Sequence, residues 1–173
     1  GTACTLIDNG MPVVVLRADG LGVSGSEACA EMEGTDDLRT TLEAIRIKAG
    51  ELMGLGDVRA TTVPKLTLVA SPREGGHLST RTFIPHRCHD AIGVLGAVSV
   101  ATAALLDGSP ASAHLTGFDG EVVRLEHPTG FFDAVVEMRT PPDGSIDVAR
   151  AGIVRTARKL MDGIVFPRPE TER

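Results

Sequence analysis

The stretch FIPHRCHDAIGVLGAVSVATAALLDG, residues 83–108, decides how this chain folds. From Ala91 to Leu106 it is apolar on every face of a helix, with only the hydroxyls of Ser99 and Thr102 interrupting it. A surface helix keeps one polar side, so this helix has to be enclosed on most of its circumference. With 16 residues it is also shorter than the roughly 20 that cross a bilayer. The sequence therefore predicts an α+β domain in which a mixed or antiparallel β-sheet is rolled around a central apolar helix.

Two glycines of this helix, Gly93 and Gly96, fall on the same face. Each costs about 1 kcal/mol in helix propensity relative to alanine. Because glycine has no side chain, the pair predicts a close approach of backbone to that face of the helix.

The segments on either side of the helix predict the strands of the sheet. Residues 3–18, ACTLIDNGMPVVVLRA, favour a hairpin because Asn-Gly is a strong turn signal. Apolar residues at three- and four-residue steps predict an amphipathic helix that begins after Thr35 and ends at Gly54. The remaining predicted strands lie in residues 63–72, in residues 77–85, in a hairpin over 121–139 with its turn at 127–130, and in a mainly β-like tail over 145–167.

Composition limits the classes of function. A chain of 173 residues fits one domain, and a net charge of −6 argues against nucleic acid or an anionic membrane surface as the main partner. The three cysteines cannot all pair within the chain, and no secretory signal is recognisable, so a reducing cytoplasm is the expected compartment.

The residues before the apolar helix, His86, Cys88 and His89, allow three kinds of site. Zinc needs three or four ligands, and no CxxC or HExxH partner is present, so the sequence favours no metal. A cysteine and histidine nucleophile pair is the second possibility. The third is a carboxylate receptor, because unpaired N–H groups and the positive end of the helix dipole meet at a helix N-terminus. The same residues also fit a purely structural role that caps the helix.

Two further positions are candidates for binding. The polar loop Ser71–His77 contains Arg73, whose forked guanidinium suits a carboxylate. The amide of Asn9, in the predicted hairpin turn, either faces a ligand or only stabilises the turn.

Four motifs in order along the chain carry a family resemblance. They are CTLIDNGMPVVVLRA (4–18), PKLTLVASPREGG (64–76), PHRCHDAIGVLGAVSVATA (85–103) and RTARKLMDG (155–163). Together they resemble the C-terminal half of the PrpF-type isomerases, whose fold is similar to that of diaminopimelate epimerase. The resemblance implies two homologous halves, each a sheet rolled around a helix, with the substrate between them.

The resemblance also implies an activity. It is a cofactor-independent proton shift that moves a C=C bond in an unsaturated di- or tricarboxylate. Residues 1–173 would be a single domain that forms the C-terminal half of such an enzyme, with the N-terminal half as its partner and a homodimer as one possible assembly. The first residues, Gly1 and Thr2, run almost at once into a strand, which agrees with a piece of a longer chain.

The residues that move the proton are expected outside this chain. In the family they are a lysine in an RGGTSKG-like loop and a cysteine in a GNC-like helix start, and neither motif occurs here. Gly93 occupies the position at which the epimerases place their second catalytic cysteine. This half would instead hold the substrate, through Asn9, Gly10, Ser71, Arg73, His86, His89, Gly93 and Val94. Roles for Cys88, Arg155 and Arg158 stay open.

Overall fold

The structure is a computed structural model that describes residues 1–139, 141–143 and 145–167. Its strands are β1 Cys4–Asp8, β2 Pro12–Arg17, β3 Lys65–Ala70, β4 Leu78–Phe83, β5 Val122–His127, β6 Gly130–Arg139 and β7 Asp147–Ile153. Its α-helices are α1 Cys29–Glu33, α2 Asp36–Leu52 and α3 Val94–Ala104, and short 3₁₀ turns lie at Asp19–Leu21 and Ser112–His114.

The strands form one mixed sheet in which spatial order follows chain order. Neighbours are antiparallel except for the β2–β3 and β4–β5 pairs, which are parallel. Strands near both ends of the sheet, β1 and β2 on one side and β5 to β7 on the other, contact α3. The sheet is therefore curled around this helix, as the sequence predicts.

The inner face of the sheet packs on α3. Val13 and Val15 of β2, Leu125 of β5 and Phe132 of β6 are at most 2% exposed and lie in one apolar cluster with Ala97–Ala104 of the helix. Burial of each such aliphatic or aromatic side chain contributes about 1.5–3 kcal/mol, so this cluster supplies much of the stability of the fold.

The outer face of β2, β3 and β4 is covered by α2. Leu38 and Leu42 of the helix pack on Val14, Leu16 and Leu66. Strand alternation explains the division, because neighbouring residues of β2 point to opposite faces of the sheet. The sheet thus has helices on both faces, and within the described residues α2 makes no extensive contact with β5 to β7.

Two element boundaries differ from the sequence prediction. Helix α3 begins at Val94 instead of Ala91, because Gly93 is extended (φ −66°, ψ 144°) and the Ala91 N–H donates to His89 Nδ1. In the predicted β-like tail only Asp147–Ile153 is a strand, and residues 154–167 carry no regular secondary structure. In the described chain the backbone bonding of the tail to β6 stops at Val154, whose N–H donates to the carbonyl of Asp133.

The explanation that we expected for the helix glycines is wrong. Apart from chain neighbours and the helix's own backbone, no atom of the described residues lies within 4 Å of the position that a Cβ would take at Gly93 or Gly96. Both residues instead border an open cavity. In the described ranges no helix is long and apolar enough to span a membrane.

Candidate functional site at the head of helix α3

The strand directions bring several segments to the edge of the sheet where α3 begins. Strands β2 and β3 start at this edge, and β1 and β4 end there. The first turn of α3, Gly93–Gly96, is called the helix head below. A Cβ built on Gly10, in the β1–β2 turn, would lie 3.4 Å from Leu95 Cδ2, so the turn sits against the helix head.

A cavity of about 210 Å³ opens at this place. Its walls are Gly93, Val94, Leu95 and Gly96 of the helix head together with Met11, Lys65, Thr82 and Ile84. No side chain caps the helix, and the N–H groups of a first turn have no acceptor within the helix itself. The cavity therefore combines free backbone donors, the positive end of the helix dipole and one ammonium group.

Lys65 is the charged residue of this cavity. Burial, and to a smaller extent the positive charge of Arg46, lowers the pKa of its ammonium group. In the described part of the chain no carboxylate lies within 4.0 Å of it. An anion bound at the helix head would meet a positive charge that the protein does not neutralise.

Asn9 is turned toward the body of the helix. Its side-chain Nδ2 donates to Thr102 Oγ1 at 2.9 Å, and its backbone N–H donates to Ser99 Oγ at 3.1 Å. Ser99 in turn donates to the carbonyl of Met11 at 2.8 Å. The two hydroxyls that interrupt the apolar helix thus fasten the β1–β2 turn to it and position Gly10 beside the helix head.

Ser71 and Arg73 lie at the opposite edge of the sheet, since β3 runs from Lys65 at the helix-head edge to Ala70. The hydroxyl of Ser71 is 3.2 Å from His114 Nδ1. The backbone N–H of Arg73 donates to Glu126, and its side chain lines a second cavity on the outer face of the sheet.

The two histidines before the helix are placed apart. His86 is exposed beside α2, with Nδ1 3.8 Å from Glu43 Oε2. His89 is half-buried; its backbone N–H donates to the carbonyl of Thr82, and its ring nitrogen accepts from Ala91. The structure therefore brings Gly10, Gly93 and Val94 together and places the other predicted binding residues at different positions.

The residues that the sequence left without roles also have defined positions. Cys88 is paired with Cys29, with 5.2 Å between the Cα atoms. Arg155 lies over the ring of Phe132, with Cζ 4.4 Å from the ring centroid, and Arg158 is exposed. No group of three or more His, Cys, Asp or Glu side chains in residues 1–139, 141–143 and 145–167 could hold a metal ion.

Sequence reasoning missed Lys65 and Thr82 as wall residues of the helix-head cavity. A signal was present in strand β3, where polar Lys65 and Thr67 alternate with apolar Leu66 and Leu68. Because Leu66 and Leu68 point to the outer face, this alternation directs Lys65 and Thr67 to the inner face, which packs on α3. The hydroxyl groups of Thr67 and Thr82 are 3.0 Å apart on this face.

The described chain is thus an α+β domain in which a curled sheet encloses an apolar helix, with free backbone donors and a lysine at the helix head. The sequence model of the PrpF protein family matches residues 1–168, and the chain belongs to this family. It is 50% identical over 168 residues, 96% of its length, to (4E)-oxalomesaconate Delta-isomerase of Novosphingobium sp. strain KA1. It is 49% identical over 167 residues to 4-oxalomesaconate tautomerase of Pseudomonas putida.

The chain spans about half the length of these relatives, 46% and 45%. More distant similarity, 29% identity over 183 residues, links it to 2-methyl-aconitate isomerase of Shewanella oneidensis. Among solved structures, a methylitaconate-delta-isomerase superposes with a TM-score of 0.80 over 92% of this chain and 45% of that chain. At 23% identity this likeness supports the fold alone.

Proposed function

We propose that this chain is the substrate-holding half of an isomerase that interconverts the keto and enol forms of 4-oxalomesaconate. The observation that carries the proposal is the helix head, where free backbone N–H groups and Lys65 face one cavity. Two relatives of about 50% identity bear names for reactions of oxalomesaconate, which supports the choice of substrate.

The chemistry of the substrate explains why such a site is useful. Removal of a proton two bonds from a carbonyl builds negative charge on oxygen, as in an enolate. Preorganised donors stabilise this charge most effectively where water is excluded. In the proposal the helix head and Lys65 hold the carboxylates and the developing charge, while the groups that move the proton come from the part of the enzyme that this chain does not cover. No cofactor is required.

In this proposal three of the predicted binding residues lie at the site: Gly93 and Val94 belong to the helix head, and Gly10 lies beside it. Contact of the substrate with Asn9, Ser71, Arg73, His86 or His89 stays a prediction. The N-terminal half as partner, a homodimer and a cytoplasmic location likewise stay predictions.

Two alternatives call for the same assays. One is isomerisation of methylaconitate or methylitaconate, since relatives of 29% and 26% identity bear such names. The other is a carboxylate-binding domain without catalysis. Turnover rates of the full-length protein with 4-oxalomesaconate, methylaconitate and methylitaconate separate the first alternative from the tautomerase.

The direct test is an assay of 4-oxalomesaconate tautomerisation on the full-length gene product and on this 173-residue chain. We expect turnover by the full-length protein and none by the isolated chain, because the proton-moving groups are absent from it. Turnover by the isolated chain at the full-length rate would place the base within residues 1–173 and refute this division of roles.

A further inference from the structure

A second cavity, separate from the helix head, opens on the outer face of the sheet. Its floor is formed by Ser79 and Arg81 of β4 and Glu126 of β5. At about 450 Å³ it is roughly twice the size of the helix-head cavity. Arg81 pairs in register with Leu68, which belongs to the outer apolar cluster, so the cavity and α3 are on opposite faces.

Arg81 is the residue that gives this cavity its chemistry. Its side chain is buried, with only 9% of the residue exposed. Nε donates to the carbonyl of Glu27 and Nη1 to that of Thr80, both at 2.9 Å, and no described acceptor is bonded to Nη2. No described carboxylate lies within 4.0 Å of the guanidinium. Glu27 and Glu126 act on this charge from beyond that distance, and the unbonded Nη2 leaves a charged donor that a carboxylate ligand can accept from.

The two carboxylates that act on the charge of Arg81, Glu27 and Glu126, already accept backbone N–H groups. Glu27 accepts the N–H groups of Ser24, Gly25 and Ser26 at 2.6–3.0 Å. Glu126 accepts those of Arg73, Glu74 and Gly76 at 2.6–2.8 Å. These bonds fix the two loops that border the cavity, so its shape is formed in advance of binding.

Arg73 adds a second cation at the rim. Burial has the largest effect on the pKa of Arg81 and lowers it; the charges of Glu27 and Glu126 raise this pKa, and the positive charge of Arg73 lowers it. An anion between the two guanidinium groups relieves their repulsion and can accept from both. On the other side of the cavity Pro128 and the 43% exposed ring of Phe131 provide an apolar wall.

We propose that this outer-face cavity binds a small organic monocarboxylate with a flat apolar body. The carboxylate sits between Arg81 Nη2 and the Arg73 guanidinium, and the carbon skeleton packs on Phe131. Arg73 and Arg81 are balanced by Glu74 and Glu126 in the same wall, so a single negative charge is accommodated better than the two charges of phosphate. The site is separate from the substrate site at the helix head.

Calorimetric titration of the full-length protein with benzoate tests the proposal, with inorganic phosphate as a second probe. We expect Arg81→Lys, which keeps the charge but loses the fork, and Arg73→Gln to weaken benzoate binding about ten-fold or more. Phe131→Ala should weaken it as well. Lys65→Met, at the helix head, is the matched control and should leave benzoate affinity unchanged.

Arg73 and Phe131 are exposed, so their variants should unfold at the wild-type temperature and their binding data do not depend on a change in stability. Unchanged benzoate affinity in Arg73→Gln, Arg81→Lys and Phe131→Ala overturns the proposal. Three other results also overturn it. The wild-type protein fails to bind millimolar benzoate, or it binds phosphate as tightly as benzoate, or benzoate binding is lost in Lys65→Met and in none of the other variants.

Discussion

At the scale of single residues, Lys65 supplies the only charge in the wall of the helix-head cavity, within the described chain. Ammonium groups in half-buried positions bind anions more strongly than exposed ones, because less water competes for them. Burial also lowers the pKa of Lys65, so this charge is lost at a lower pH than that of an ordinary lysine.

Lys65→Met in the full-length enzyme should therefore lower kcat/KM about 10- to 100-fold, the loss expected for one hydrogen bond to a charged group. In the wild type, kcat/KM should fall as pH rises through the lowered pKa, because the deprotonated amine no longer attracts a carboxylate. Steady-state kinetics against pH measure both effects.

Lys48→Met is the control for this substitution. Lys48 is exposed on α2 and pairs with Glu51, away from the helix head. Wild-type kinetics in Lys65→Met, or an equal loss in both variants, would remove Lys65 from the binding site.

Individual residues also show the limit of reading a site from sequence. The hairpin turn at Asn9 and Gly10 was predictable, because Asn-Gly turns have a local cause. The positions of Arg73 and His86 were not, although both residue types suit a carboxylate. Strand β3 carries Arg73 to the far edge of the sheet, and the loop after β4 carries His86 to α2.

At the scale of elements, the junction between the β1–β2 turn and α3 sets the geometry of the helix head. Thr102, only 3% exposed, accepts from Asn9 Nδ2 and donates back to the carbonyl of Val98. Loss of such a buried partner leaves a donor without an acceptor, which costs about 1–3 kcal/mol.

Thr102→Val keeps the shape of the side chain and should lower the free energy of unfolding by about 1–3 kcal/mol. Urea denaturation measures the change. Thr41→Val, at an exposed position of α2, is the matched control and should stay within about 0.5 kcal/mol of the wild type. Equal stability of the two variants would show that the Asn9 contact contributes nothing.

Replacing a glycine with alanine should change the stability of the fold in opposite directions in α3 and in α2. At Gly96 a Cβ meets nothing within 4 Å, so Gly96→Ala should stabilise the fold by about 0.5–1 kcal/mol while narrowing the helix-head cavity and lowering kcat/KM. At Gly50 of α2 a Cβ would lie 2.6 Å from Val58 Cγ1, so Gly50→Ala should destabilise by about 1–3 kcal/mol.

Thermal unfolding and steady-state kinetics of the full-length variants test this pair. A Gly96→Ala enzyme with full activity would mean that the substrate does not use the space beside that residue. A destabilised Gly96→Ala would mean that protein, and not ligand, fills the space in the full-length enzyme.

At the scale of the whole molecule, the C-terminal segment 154–167 lies exposed although it is rich in apolar residues. Leu160, Met161, Ile164, Val165 and Phe166 are each 80% exposed or more. Contiguous exposed apolar side chains are typical of interaction surfaces. The relatives are about twice as long as this chain, so we expect this segment to be covered in the full-length protein.

Hydrogen exchange followed by mass spectrometry checks this expectation. Amides of residues 158–166 should exchange within seconds in the isolated 173-residue chain and be protected in the full-length gene product. Strand β2, buried in both, provides the internal reference. Rapid exchange of the segment in the full-length protein as well would contradict the expectation.

The sequence by itself determined the architecture. An all-apolar helix can be stable only when it is enclosed, and the strand patterns on both sides of it supply the enclosing sheet. The turns at Gly10 and at residues 128–129 were also fixed locally, because their backbone conformations need the residues found there. Each of these inferences depends on neighbours in sequence, or on the simple need to bury apolar surface.

Only the tertiary structure decided which polar groups share a site. Lys65, at the start of β3, and Gly93, 28 residues later, meet because β3 and β4 run in opposite directions and α3 returns to the same edge of the sheet. Arg73 and Arg81 meet on the outer face for the same kind of reason. Strand direction and sheet curl are collective properties of the whole chain, so no local pattern contains them.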